Sequence, residues 1–236
     1  MAKGASVDAR DDLGGTALIV ASSWQRNDIV KNLLDKGANV NAQDKLGHSA
    51  LMLAAEKGYA DTVQLLLTKG ANVNLKDGVS RTALAFAAAQ RSADVIRALL
   101  NRGADVNARD RFSRTPLILA APQGVTEVVQ ALLAGGADPN AESWVGETAL
   151  RAARVQNHTA IVQILSKQVQ SSCSRDTQDT LNRTIRQCPA HATDMGGLSK
   201  VRKAHPTLQN AFNTGITEWG SVRFPPHLEW PLRCQG

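Results

Sequence analysis

The sequence predicts an all-α solenoid of about five helix–turn–helix units with β-turn hairpin loops, followed by an irregular C-terminal tail. Three observations predict it. Gly4, Gly37, Gly70, Gly103 and Gly136 stand 33 residues apart. Each opens a short motif that an Asn or Asp closes, as in Gly37-Ala38-Asn39-Val40-Asn41 and Gly103-Ala104-Asp105-Val106-Asn107. Two apolar stretches at helical spacing recur between these motifs in a constant register. A fixed period of this length means stacked supersecondary units rather than one globular core. Composition agrees: 43% of residues are apolar but only 4% aromatic. Alanine and leucine suit a thin two-layer stack in which each unit meets only its neighbours.

Within a period each element has its own signal. An aspartate (Asp11, Asp44, Asp77, Asp110) opens a turn, where its side chain can bond backbone two residues on. Three residues later Gly14, Gly47 and Gly146 suit a positive φ, and Ser80 and Ser113 replace glycine there. Thr16, Ser49, Thr82, Thr115 and Thr148 then stand just ahead of an apolar run, as N-caps do, and Pro116 takes the first-turn position after Thr115. The first helix packs mostly through small side chains, as in Leu51, Leu53, Ala54 and Ala55. The second carries Val63, Leu66 and Leu67, echoed by Ile96, Leu99, Leu100 and by Val129, Leu132, Leu133. The recurring glycine ends it as a left-handed cap.

These signals divide the chain into residues 1–10, units at approximately 11–43, 44–76, 77–109, 110–142 and 143–170, and a tail over 171–236. Residues 1–10 read as the end of a preceding repeat whose earlier part is missing, because Ala2-Lys3-Gly4-Ala5 aligns with Thr68-Lys69-Gly70-Ala71. In the last unit Ile161, Val162, Ile164 and Leu165 keep the inward stripe, while Gln163, Lys167 and Gln170 suit an outer face.

Turn, cap, helix and terminator residues recurring together make the chain similar to the ankyrin repeat family over about residues 2–170. Thr16-Ala17-Leu18, Thr82-Ala83-Leu84 and Thr148-Ala149-Leu150 stand where many members have Thr-Pro-Leu, a wording similar to that of bacterial members. The histidine that often follows is replaced by Ile19, Met52, Ala85, Ile118 and Arg151. The resemblance implies a non-catalytic protein-binding module whose partner meets the turn tips and first helices on the concave side.

Nothing in the sequence points to chemistry. There is no phosphate-binding glycine loop, no Gly-x-Gly-x-x-Gly, no His-Glu-x-x-His, no Gly-x-Ser-x-Gly and no Cys-x-x-Cys. The reading is therefore no enzyme, no cofactor and no metal. The alternative is the binding or targeting part of a larger enzyme or secreted effector whose catalytic part is absent from this chain. The tail holds Cys173, Cys188 and Cys234 and five of the eight prolines. Thr177–Gln187 can form a short helix with Leu181 and Ile185 on one face. Cys188 and His191 are three apart, as zinc ligands can be, but no second pair has ligand spacing. A Cys173–Cys188 disulfide requires export.

The formal net charge is +6. The excess is spread rather than gathered into a stripe, which argues against nucleic acid. No apolar stretch approaches the roughly 20 residues that span a bilayer. Met1-Ala2-Lys3-Gly4 shows no signal peptide, which favours the cytoplasm. A lost N-terminal signal would leave periplasmic or secreted placement open.

The partner-binding candidates lie at the hairpin tips. Third-position residues are all apolar: Leu13, Leu46, Val79, Phe112 and Val145. They read either as seals between neighbouring hairpins or as a greasy ladder along a binding edge. Lys45, His48, Arg81, Arg109, Arg111 and Arg114 lie beside them, interrupted by Glu56, Glu142 and Glu147. Trp24 and Trp144 stand near the two ends. Trp and Arg are common interface anchors, and the arginines suit a protein partner with an acidic surface. Because the inward stripe ends at Leu165, a chain stopping after Ser172 is expected to keep its helical circular dichroism and melting midpoint. A large drop in either would show that the tail supports the last unit.

Overall fold

The structure is a computed structural model, and it describes residues 6–170. The readings for the tail (the helix at 177–187, the disulfide and the zinc pair) lie outside these residues. The described chain is a row of helix pairs: α1 (Ala17–Ser23) with α2 (Asn27–Asp35), α3 (Ala50–Lys57) with α4 (Ala60–Thr68), and α5 (Ala83–Ala89) with α6 (Ala93–Leu100). Then come α7 (Pro116–Ala120), extended by a 3₁₀ turn at Ala121–Gln123, with α8 (Thr126–Ala134), and α9 (Ala149–Val155) followed by α10 over 159–170. The first helices α1, α3, α5, α7 and α9 pack in one row, and α2, α4, α6 and α8 in a second. Among the described residues the only β pairing is isolated bridges, such as Gln43 with Ser49, at the bases of hairpins.

The first helices start where a hydroxyl can cap them. The side chains of Thr16, Ser49, Thr115 and Thr148 accept from the N–H groups of Ile19, Met52, Ile118 and Arg151. Thr82 departs from this pattern. The Ala85 N–H donates to the Thr82 carbonyl at 3.0 Å instead, tightening the first turn. The Thr82 hydroxyl is left buried without a partner.

The second helices end alike. Gly37, at φ 83°, donates to the Leu34 carbonyl and Ala38 to that of Leu33. This is the Schellman closure, and it recurs at Gly70-Ala71, Gly103-Ala104 and Gly136-Ala137. At the hairpin tip Gly47 meets two demands together. Its φ is 82°, and a Cβ there would lie 2.7 Å from the Gly78 nitrogen. Ser80 and Ser113 hold the matching left-handed position at φ 64° and 57°.

Burial follows the repeat register. Leu18, Leu51, Leu84 and Leu117 are fully buried in the first helices, among alanines that let these helices approach closely. Leu66, Leu99, Leu132 and Leu165 fill the matching place in the second row. Each unit is covered by the one before it. Thr62, Val95, Val128 and Ile161 are buried, whereas Ile29, the equivalent residue of the first described unit, is 45% exposed beside Val20 and Trp24.

Two stability results follow. Leu99→Ala, in a fully buried central position, is expected to cost about 2–5 kcal/mol. Leu33→Ala should cost less, because the adjoining face is open and can relax; urea melts giving equal losses would contradict this. Thr115→Val should cost about 1 kcal/mol as a lost cap, while Thr82→Val should be neutral or stabilising, since its hydroxyl bonds nothing. Equal thermal shifts for the two would show that the Thr82 hydroxyl does act as a cap.

Candidate functional site

The hairpin tips are joined first by backbone. The second-position N–H of each hairpin donates to the third-position carbonyl of the one before: Lys45 to Leu13, Gly78 to Leu46, Arg111 to Val79 and Trp144 to Phe112, at 2.9–3.0 Å. Each turn is fixed from within by its leading residue. Asp77 Oδ1 accepts from the N–H groups of Val79 and Arg81, and Asp110 Oδ1 from those of Phe112 and Arg114. Asp11 and Asp44 do the same, and Ser143 Oγ accepts from Glu147 in the fifth hairpin.

Because main chain closes the seam, the third-position side chains are left outside. Leu13, Leu46, Phe112 and Val145 are exposed, and Val79 is half-buried. Trp144 is 71% exposed and meets Phe112 edge to face, with centroids 6.3 Å apart. Trp24 is as exposed but stands away from this group, at the end of α1 beside Val20 and Ile29.

The cations divide into two sets. Lys45, Arg109 and Arg111 brace neighbouring hairpins by donating to backbone carbonyls: Lys45 Nζ to Asp12 at 2.7 Å, Arg109 Nη1 to Glu142 at 2.8 Å and Arg111 Nη2 to Gly78 at 3.0 Å. None of the ion pairs among the described residues involves these three or Lys76. Among the described residues, therefore, no carboxylate compensates their charges.

Arg81 and Arg114 belong to the other set. Arg81 Nε donates to Asp77 Oδ2 at 2.9 Å, and Arg114 Nε to Asp110 Oδ2 at 2.8 Å. Both carboxylates are 1% exposed, while the arginines keep about a third of their surface in solvent. Each guanidinium also lies against an aromatic ring, Arg81 at 4.3 Å from the Phe86 centroid and Arg114 at 5.0 Å from that of Phe112. His48 holds the equivalent place one unit earlier. Its Nδ1 is 3.3 Å from Asp44, its Nε2 is 3.9 Å from Asp77, and its ring meets Phe86 edge to face.

The structure thus groups His48 with Arg81 around Phe86, and Arg114 with Phe112 and Trp144. Val79 and Arg111 join the third and fourth hairpins, Leu46 joins the second to the third, and Lys45 bonds back to Leu13 in the first described unit, where Trp24 also lies. Sequence reasoning missed Phe86. The available signal was its place in the repeat, where Val20, Leu53, Leu119 and Ala152 are aliphatic, five residues after an arginine. It also missed that Asp77 and Asp110 would bury their carboxylates against the arginines.

The model of ankyrin repeats (3 copies) matches three overlapping stretches, residues 1–77, 42–110 and 84–179. The chain belongs to the ankyrin repeat family. Ankyrin repeats are in general protein–protein interaction modules, and the fold is typically non-catalytic. Comparison with curated proteins finds no match. Among the described residues of this ankyrin repeat protein no three His, Cys, Asp or Glu side chains gather as a metal site. No helix among them is long and apolar enough to cross a membrane.

Proposed function

We propose that this ankyrin repeat protein binds a protein partner along the hairpin edge and concave side of units two to five, without catalysis. The observation that carries the reading is the exposed apolar ladder. Leu46, Phe112, Trp144 and Val145 stand in solvent beside cations, although the hairpins are already joined without them. Large aromatic rings left exposed where main chain already closes the seam are candidate anchors. Lys45, Arg109 and Arg111 add positive charge that no carboxylate among the described residues pairs, which favours a partner with an acidic surface.

The geometry also selects the mutations. Arg114→Ala is a poor probe, because it strips a buried carboxylate of its partner and costs stability by itself. Phe112→Ala and Trp144→Ala remove exposed rings instead. With a partner recovered by pull-down and measured by titration calorimetry, each should lose about 2 kcal/mol or more if it is an anchor. Gln130→Ala, on the exposed side of α8, should lose nothing. Added salt should weaken binding moderately. Thermal melts of all three should stay near the parent. Unchanged affinity in both aromatic variants, or a collapse of their melting points, would reject the edge as the binding surface.

A further inference from the structure

We infer that the arginine pair on the third and fourth units takes an extended acidic segment of the partner, in polyproline II conformation, with carboxylates three residues apart. This rests on the protein-binding reading above and gives that partner a chemistry.

The first observation is that Arg81 and Arg114 are pre-oriented. A buried aspartate holds each Nε, and an aromatic ring covers one face of each guanidinium. Among the described residues no hydrogen bond engages either Nη group of Arg81 or Nη1 of Arg114. A planar fork fixed in this way loses little freedom when it accepts a carboxylate.

The second is spacing. The two arginines hold identical places in consecutive units, and α5 and α7, which follow them, pack side by side. Packed helices stand about 8–10 Å apart, which sets the backbone of the two arginine positions about that far apart. A polyproline II segment repeats its face every three residues at about 3.1 Å each, which sets the Cα atoms of two such residues about 9 Å apart on one side. A β-strand alternates faces, so its same-side positions fall at about 6.6 and 13 Å and miss the pair. An α-helix reaches about 10.5 Å only between residues seven apart.

The third is charge. Asp77 and Asp110 offset Arg81 and Arg114 themselves, so these two orient a carboxylate more than they attract one. Attraction comes from Lys45, Lys76, Arg109 and Arg111, which have no carboxylate partner among the described residues. In the middle tips Asp77 and Asp110 are buried against their arginines and Asp44 lies beside His48; the other tip acids are Asp11 and Asp12 toward one end and Glu142 and Glu147 toward the other. An acidic segment is thereby centred on the middle units. Finally, the exposed Trp144–Phe112 pair adjoins Arg114 and offers aromatic surface of the kind that receives proline rings.

The test is fluorescence anisotropy of the full chain with labelled synthetic peptides. The probe is a twelve-residue peptide containing Glu-Pro-Pro-Glu. The expected result is saturable binding at low salt, weakened about tenfold or more when both glutamates become glutamine, as for loss of charge-assisted bonds. Moving the glutamates to Glu-Pro-Glu should weaken it similarly, as should an alanine-based helical peptide with glutamates seven apart. On the protein side, Arg81→Lys keeps the charge but loses the fork and should weaken the probe; Arg97→Gln, on the second-row helix α6, should not. The peptide series needs no mutant to fold, so misfolding of a variant cannot mask the answer. Equal binding of all spacings, or no binding of the probe, overturns the inference. If the probe fails while a captured protein partner still depends on Phe112 and Trp144, protein binding stands and only the acidic polyproline II partner is wrong. If that partner also ignores Phe112 and Trp144, the hairpin edge falls as the binding surface too.

Discussion

No unit of this chain can bury its own apolar surface, and every other feature answers that constraint. A pair of short helices has one side to give to the next unit and one to take from the unit before. Thr62, Val95, Val128 and Ile161 are sealed against the described unit before them, whereas Ile29, in the first described unit, is exposed. The small residues follow from this. Ala50, Ala83 and Ala149 lie at the contact between consecutive first helices, where a larger side chain would hold the helices apart. Stability is accordingly a chain of neighbour terms rather than the property of one core.

Apolar packing fixes how far apart the units stand, and polar contacts fix their register. The second-position N–H groups bond carbonyls one unit back. A second set of links lies at the other end of the repeat. Asn41, Asn74 and Asn107 each accept from a backbone N–H of the next unit, at 2.8–2.9 Å. Between the second helices Lys69 Nζ bonds Asp35 at 2.6 Å, which holds the exposed Asp35 carboxyl below the usual carboxylate range. These bonds carry the assembly without spending the third-position side chains. That economy is why an edge can be both a structural seam and an exposed apolar ladder. The same parts serve twice in the arginine pair, where the carboxylates that stiffen the turns also aim the guanidinium groups.

Much of the fold was legible because its signals are local. A left-handed cap needs glycine or a tolerant substitute, so Gly37, Gly70, Gly103 and Gly136 marked helix ends unaided, and Ser80 and Ser113 could be read as stand-ins for glycine. The hydroxyl caps were legible for the same reason, except at Thr82, where the first turn tightened and took the N–H for a carbonyl. The candidate site was legible only as a set of positions. Lys45, Arg109 and Arg111 read as partner-binding cations beside the apolar ladder, and each also bonds a carbonyl 33 residues away, a contact that no local pattern encodes.

By itself, then, the sequence determined the period, the two helices of each unit, their caps and the face each turns inward, since these depend on backbone conformation and on spacing within one unit. Tertiary structure decided what the tips do with their side chains. Phe86 lies under Arg81 within one unit, but only the stacking brings it within reach of His48 of the unit before, and sets Phe112 against Trp144 of the unit after. Only burial distinguishes Asp77 and Asp110, sunk beneath their arginines, from Asp11, which performs the same turn in solvent. Contacts between units depend on the distance and register at which helices pack, and those are set by the summed shapes of many side chains rather than by any one residue.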